Sequence, residues 1–190
     1  KENIRIIFNK IFNFLMADNF HPHRKSIRLP KFDYTQEGAY FITIVSQNRI
    51  CLFGQIAFGI MSLSPFGNII SQVWQSIPKH HPKTVVDPFI IMPNHIHGII
   101  SIVGARRAVP LHQSEKFGKP VSGSIPTIVR SFKSESTRQI NVVRNTPGVK
   151  VWQRNYYEHV IRDEKDYESI YEYILTNPQN WLKDNEYQDD

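Results

Sequence analysis

Two histidines one residue apart, His95 and His97, stand inside the apolar run HIHGIISIV. On a strand, residues two apart project to the same face with about 3.3 Å of rise per residue, so these imidazoles lie side by side and can converge on one divalent cation. A His-x-His pair taken alone is as readily two hydrogen-bonded or surface histidines. Here Ile96, Ile99 and Ile100 mark a strand packed in a sheet, where two polar rings on one face need a partner, and a metal ion is one. A second polar pair, Tyr173 and Asn177, lies in DEKDYESIYEYILTNP. In that segment Tyr167, Ile170, Tyr171 and Ile174 follow helical spacing and define the expected core stripe. At about 100° per residue, Tyr173 lies roughly 110° from the centre of that stripe, so packing does not account for it. Asn177 follows one turn later on the same face, and Pro178 disfavours helix there, which leaves the amide at an open helix end facing outward. The plainer reading is a rim tyrosine and a C-terminal capping asparagine.

These groups need elements to hold them, and the sequence has the composition to build them. Its 190 residues, 41% hydrophobic and 12% aromatic, predict one compact domain rather than a disordered chain. Lys and Arg number 23 against 17 Asp and Glu, a formal net charge of +6 that suits a polyanionic partner. The single cysteine, Cys51, excludes an intramolecular disulfide and a Cys-rich zinc site. Within Ile50-Cys51-Leu52-Phe53 it is expected to pack as a small buried hydrophobe, and a reducing cytoplasm, with association to the nucleoid, is the expected compartment. Residues 1–23 form an N-terminal extension in which Ile4, Ile7, Phe8, Ile11, Phe12 and Leu15 suggest a short amphipathic helix. Lys10, Asn9 and Asn13 interrupt it, so no membrane span is expected.

The domain is expected over residues 24–184, with a tail at 185–190. Ala39 to Val45 reads as a first strand and Ile50 to Leu63, broken by Gly54 and Gly59, as a short irregular hairpin. Ser64-Pro65 reads as an N-cap followed by proline in the first turn of a helix whose buried stripe is Ile69, Ile70, Val73, Trp74 and Ile77, closed by Pro78 and Pro82. Pro88–Pro93 and His95–Val103 read as central strands joined across Pro93-Asn94. Residues 104–124 read as a long basic loop, Ile125 to Ile140 as a helix, Val151 to Ile161 as a last strand and Asp163 to Asn177 as a terminal helix. The βαββαβα order predicts an α+β fold, a ferredoxin-like antiparallel sheet with helices packed on one face.

Several segments in this order resemble the IS200-like transposases, the single-tyrosine HUH enzymes, and within them the branch associated with repeated extragenic palindromes. The resemblance runs from RKSIRLPKFDYTQEGAYFITIVSQNRICLFGQI through FIIMPNHIHGII and IPTIVRSFKSESTRQI to VWQRNYYEHVIRDEKDYESIYEYILTNPQNW. It implies the HUH endonuclease type of fold, with His95 and His97 as the metal-coordinating pair and Tyr173 as the nucleophile. Asn177 falls where the family has an amide or other polar third ligand; the better-known branch carries Gln there. Tyr156 and Tyr157 in WQRNYYEH are rival tyrosines, placed on the expected last strand.

The resemblance further implies Mg²⁺ or Mn²⁺ and a single-stranded DNA substrate beside a hairpin or palindromic repeat, cleaved through a 5′-phosphotyrosine. A tyrosine with a free pKa near 10 needs a site that favours the phenolate as it attacks phosphorus. Arg24, Lys25, Arg28 and Lys31 form a basic arm, Arg130, Lys133 and Arg138 lie on the second long helix, and Arg154 and Arg162 flank the last strand. Phosphate contact is the expected role of this group, with Phe32 and Tyr34 available for base stacking. A domesticated hairpin-binding protein and a replication-initiator or relaxase-like HUH nuclease are the alternatives. Members of the family act as helix-exchanging dimers or as monomers, and composition does not choose between them.

Overall fold

The computed structural model describes residues 32–104, 121–184 and 186–187. The expected N-terminal helix, the arm carrying Arg24, Lys25, Arg28 and Lys31, and most of the basic loop lie outside the described residues. The chain forms strand β1 (Gly38–Val45), a hairpin of β2 (Gly54–Ala57) and β3 (Ile60–Leu63), helices α1 (Pro65–Gln75) and α2 (Ile77–His80), strands β4 (Thr84–Ile91) and β5 (His95–Ile102), helix α3 (Ile125–Val143), strand β6 (Tyr157–Ile161) and helix α4 (Glu164–Thr176). A 3₁₀ turn, Asn177–Lys183, follows α4 directly. The main sheet has the order β4-β5-β1-β6, with every pairing antiparallel. This is the α+β, ferredoxin-like arrangement that the element order predicts.

Strand alternation divides the core in two. Tyr40, Ile42 and Ile44 of β1 and Ile96, Ile100 and Ile102 of β5 face one layer, where they meet Ile70, Val73 and Trp74 of α1 and Ile128, Val129 and Phe132 of α3. Phe41 and Ile99 face the other way and pack on Ile170 and Ile174 of α4. The helices therefore cover both faces, α1 and α3 on one and α4 on the other, where the sequence reading had them on one. The α+β class is unaffected; the path out of β6 decides which face α4 takes.

Local rules explain the helix starts. Ser64 accepts a hydrogen bond from Gly67 N at 3.1 Å and Ser124 from Thr127 N at 3.4 Å, each followed by proline in the first turn, where its missing N–H costs nothing. Asp163 caps α4 through Asp166 N at 2.9 Å. Pro88 is accommodated because β4 is an edge strand with a register shift between Val86 and Phe89. Gly98 is required by packing: a Cβ there would stand 2.5 Å from Trp74 Cζ2.

Three expectations change. Cys51 is exposed, because Leu52 N turns back to Ile50 O at 2.8 Å and Phe53 alone in that run enters the core fully. The last strand begins at Tyr157, not Val151; Val151 and Trp152 are buried, and Trp152 makes only an isolated bridge to Ser46. On α4 the buried positions are Ile170 and Ile174, flanked by Tyr167 and Tyr173, while Tyr171 is 42% exposed. Among the described residues no helix is long and apolar enough to cross a membrane.

Candidate active site

The antiparallel register sets Thr43 opposite His97 and Val45 opposite His95, on the sheet face that α4 covers. His97 Nδ1 lies 2.8 Å from Thr43 Oγ1, and its ring stacks on Phe41 with centroids 5.5 Å apart. Both histidines are buried, and their Nε2 atoms approach to 2.9 Å.

Behind His95 stands Asn94, whose orientation is determined by its partners. Its Nδ2 donates to Arg49 O at 3.0 Å and Glu186 O at 2.6 Å, so Oδ1 must face His95 Nδ1, 2.8 Å away. That oxygen only accepts, hence His95 carries its proton on Nδ1 and presents a lone pair at Nε2. Burial pushes the His95 pKa down to about 3 and holds that of His97 well below its ordinary value, so both rings are neutral and competent as ligands.

Helix α4 delivers Tyr173 to the same point. Its hydroxyl is 3.2 Å from His97 Nε2, and its ring meets Phe41 edge-on at 6.0 Å. Burial raises its pKa well above the ordinary tyrosine value, the Asp184 carboxylate raises it further, and a hydrogen bond with Asn177 opposes both. Asn177 itself is buried, not outward-facing, and its Oδ1 has no hydrogen-bond partner. The reason is that Asn177 lies one turn beyond Tyr173 and Ile174 and continues their inward face.

One contributor escaped the sequence reading. Asp184 turns a carboxylate oxygen toward the pair, with Oδ2 3.9 Å from His95 Nε2, and ligand atoms of His95, His97 and Asp184 all lie within 4.8 Å of one another. The Glu186 amide donates to Asp184 Oδ1 at 2.8 Å, which leaves Oδ2 directed at the site. Asp184 in LKDNEY belongs to no periodic pattern that would have marked it. Two imidazole nitrogens, a carboxylate oxygen and an orphaned buried amide oxygen form a donor set that fits a divalent cation.

No family model matches the chain. An uncharacterised protein of Haemophilus influenzae is 45% identical over 172 residues, covering 88% of this chain and 94% of that protein. A second Haemophilus influenzae protein, provisionally named a REP-associated tyrosine transposase, is 27% identical over 147 residues, 77% of this chain and 73% of its own. Among solved structures, a REP-associated tyrosine transposase bound to a REP hairpin superposes with a TM-score of 0.52 at 20% identity, over 86% of this chain and 77% of that one. The chain thus resembles a REP-associated tyrosine transposase in sequence and shares the fold of the hairpin-bound one.

In this chain the four residues expected at the centre, His95, His97, Tyr173 and Asn177, converge. Tyr157 packs edge-on against Phe41 at 6.2 Å, and the Tyr156 ring lies under Lys133 Nζ at 5.6 Å. Among the basic residues, Arg130 and Arg154 are exposed, and Arg138 makes a bidentate contact with Glu135 at 2.7 and 2.9 Å. Lys133 departs from expectation: its ammonium donates to Asn155 O at 2.7 Å, Gln153 O at 3.0 Å and Arg154 O at 3.4 Å. It ties α3 to the segment before β6 instead of facing solvent. Tyr34 is also spoken for, buried in the core with Phe32 packed edge-on at 4.9 Å.

Proposed function

We propose that this chain cleaves and rejoins single-stranded DNA beside a hairpin, with Tyr173 as the nucleophile and a divalent cation as cofactor. The carrying observation is the 3.2 Å approach of the Tyr173 hydroxyl to His97 Nε2, the nitrogen that also faces His95. It unites a nucleophile with a pair of neutral, buried metal-ligand side chains.

Attack of Tyr173 Oη on a backbone phosphorus forms the Oη–P bond and breaks the bond from phosphorus to the 3′ oxygen. The phenolic proton is lost, and the leaving oxygen takes up a proton as a free 3′-OH. The phosphodiester is conserved as 5′-phosphotyrosine, so a second 3′-OH can reverse the step and join strands without ATP. Burial and Asp184 keep the resting group a phenol, whereas the Asn177 hydrogen bond favours the phenolate. Asn94 and Thr43 orient the two imidazoles from behind. His95 and His97, with oxygen donors from Asn177 and Asp184, would hold Mg²⁺ or Mn²⁺, which would supply positive charge to polarise the phosphate and offset charge on the phenolate.

Tyr173 meets the histidines of its own chain, so one protomer holds a complete set of the proposed groups. Arg130, Arg138 and Arg154, with Arg24, Lys25 and Arg28 of the arm, are proposed to contact phosphates. The test is incubation with single-stranded DNA carrying the hairpin from its own locus, with Mg²⁺ or Mn²⁺, followed by a denaturing gel. Wild type is expected to give a protein-DNA adduct that Tyr173→Phe and His95→Ala both lack. Binding without an adduct in either metal would overturn catalysis in favour of a hairpin-binding protein. An adduct surviving Tyr173→Phe would move the nucleophile to another tyrosine.

A further inference from the structure

The C-terminal residues Asp184 and Glu186 are fastened to the active site by contacts that the proposed chemistry does not use. Glu186 is buried at 2% exposure, and its Oε2 accepts from Arg49 Nε at 2.6 Å. Its backbone oxygen accepts from Asn94 Nδ2, the amide that orients His95 through its other end. Trp181 lies against the His95 ring at 6.0 Å and meets Tyr187 edge-on at 5.3 Å.

Arg49 is held for this contact at a cost. It follows Asn48 in the left-handed region, with φ of 56° and 57° respectively, a conformation disfavoured for side chains that are not glycine. A glycine would fit that turn with less strain, but only the arginine can reach Glu186. One set of contacts thus fixes both the rear of His95 and the chain that carries Asp184.

We infer that Arg49, Glu186 and Asn94 form a latch that couples docking of this C-terminal stretch to metal binding, so that each strengthens the other. The inference rests on the reading of His95 and His97 as metal ligands. Linkage makes the coupling reciprocal: if the docked chain raises cation affinity, the cation must stabilise the docked chain by the same factor. Arg49 and Glu186 are positioning residues, since they act through Asn94 and Asp184.

Two variants separate the latch from the fold. Arg49→Gly relieves the left-handed turn while removing the ion pair, and Glu186→Gln retains size while removing the charge. Mn²⁺ affinity, read by calorimetry or by the spin resonance of free Mn²⁺, is expected to fall about 10–100-fold in both, with the metal-free melting temperature of Arg49→Gly retained. In wild type, Mn²⁺ is expected to slow hydrogen exchange at the Glu186 and Tyr187 amides, an effect weakened in both variants. Wild-type affinity in the variants, or exchange that ignores Mn²⁺, would overturn the latch while leaving the transposase chemistry standing. Failure of the wild-type chain to take up Mn²⁺ would instead remove the metal reading and the latch with it.

Discussion

Asn177 sits where three demands meet: it is buried, it hydrogen-bonds Tyr173, and its Oδ1 lacks a protein partner. A buried amide oxygen left alone costs about 1–3 kcal/mol, which a cation bound at the proposed site would offset. Asn177→Ala is therefore expected to slow adduct formation by about 10-fold or more, and Asn177→Asp, which keeps an oxygen donor, to retain more activity than Ala. Single-turnover adduct formation across a Mn²⁺ titration checks this, and equal rates in the two variants would count against a donor role. The residue types here were legible without a structure, because His-x-His and Tyr-x₃-Asn each place side chains on one face by local geometry. Asp184 was not legible, since its role depends on a carboxylate turned by the Glu186 amide, with no repeat in the chain to announce it.

At the scale of elements, β5 is shaped by different demands on its two faces. His95, His97 and Ile99 face α4, whereas Gly98 lies under Trp74 of α1. Gly98→Ala introduces a Cβ 2.5 Å from the indole and 2.9 Å from Phe89 Cβ. Overpacking of this kind typically costs about 1–3 kcal/mol, so the denaturation midpoint should fall; an unchanged midpoint would show that Trp74 yields freely. Lys133 belongs to the same scale, because it joins α3 to residues 153–155 just before β6. Burial pushes its pKa down to about 8, and three carbonyls claim its ammonium. Lys133→Met should leave those carbonyls unpaired and destabilise the domain by about 1–3 kcal/mol, while the salt dependence of DNA affinity stays the same. A flattened salt dependence would restore Lys133 to the phosphate contacts. A lysine on an amphipathic helix reads as solvated until a neighbouring loop is seen to stop beneath it.

Across the whole molecule, the sheet separates a structural layer from a chemical one, and the tyrosines report the difference. Tyr40 lies in the structural layer, 1% exposed, with its hydroxyl donating to Gln36 O at 3.1 Å. Burial, with Asp33 and Glu158 nearby, pushes its pKa from 10.0 up to about 12. The folded state thus keeps a proton that the unfolded chain has lost between those values. Stability from this group is complete below pH 10 and declines as pH rises toward about 12. Urea midpoints measured across that window should fall for wild type and fall less for Tyr40→Phe; parallel profiles would assign the alkaline loss to other groups, Tyr157 among them.

What the sequence determined by itself was periodic. Alternation along β5 put His95 and His97 on one face, helical spacing set Tyr173 apart from the core stripe, and Ser64 before Pro65 marked the start of α1. These properties depend on residues two to four apart, so any copy of the segment carries them. Tertiary structure decided what those faces meet. It carried α4 to the face opposite α1 and α3, turned Asn177 inward, took Lys133 from solvent, and brought Glu186 to Arg49 across 137 residues of chain. Such contacts follow from sheet register and the path between elements, to which no local pattern refers.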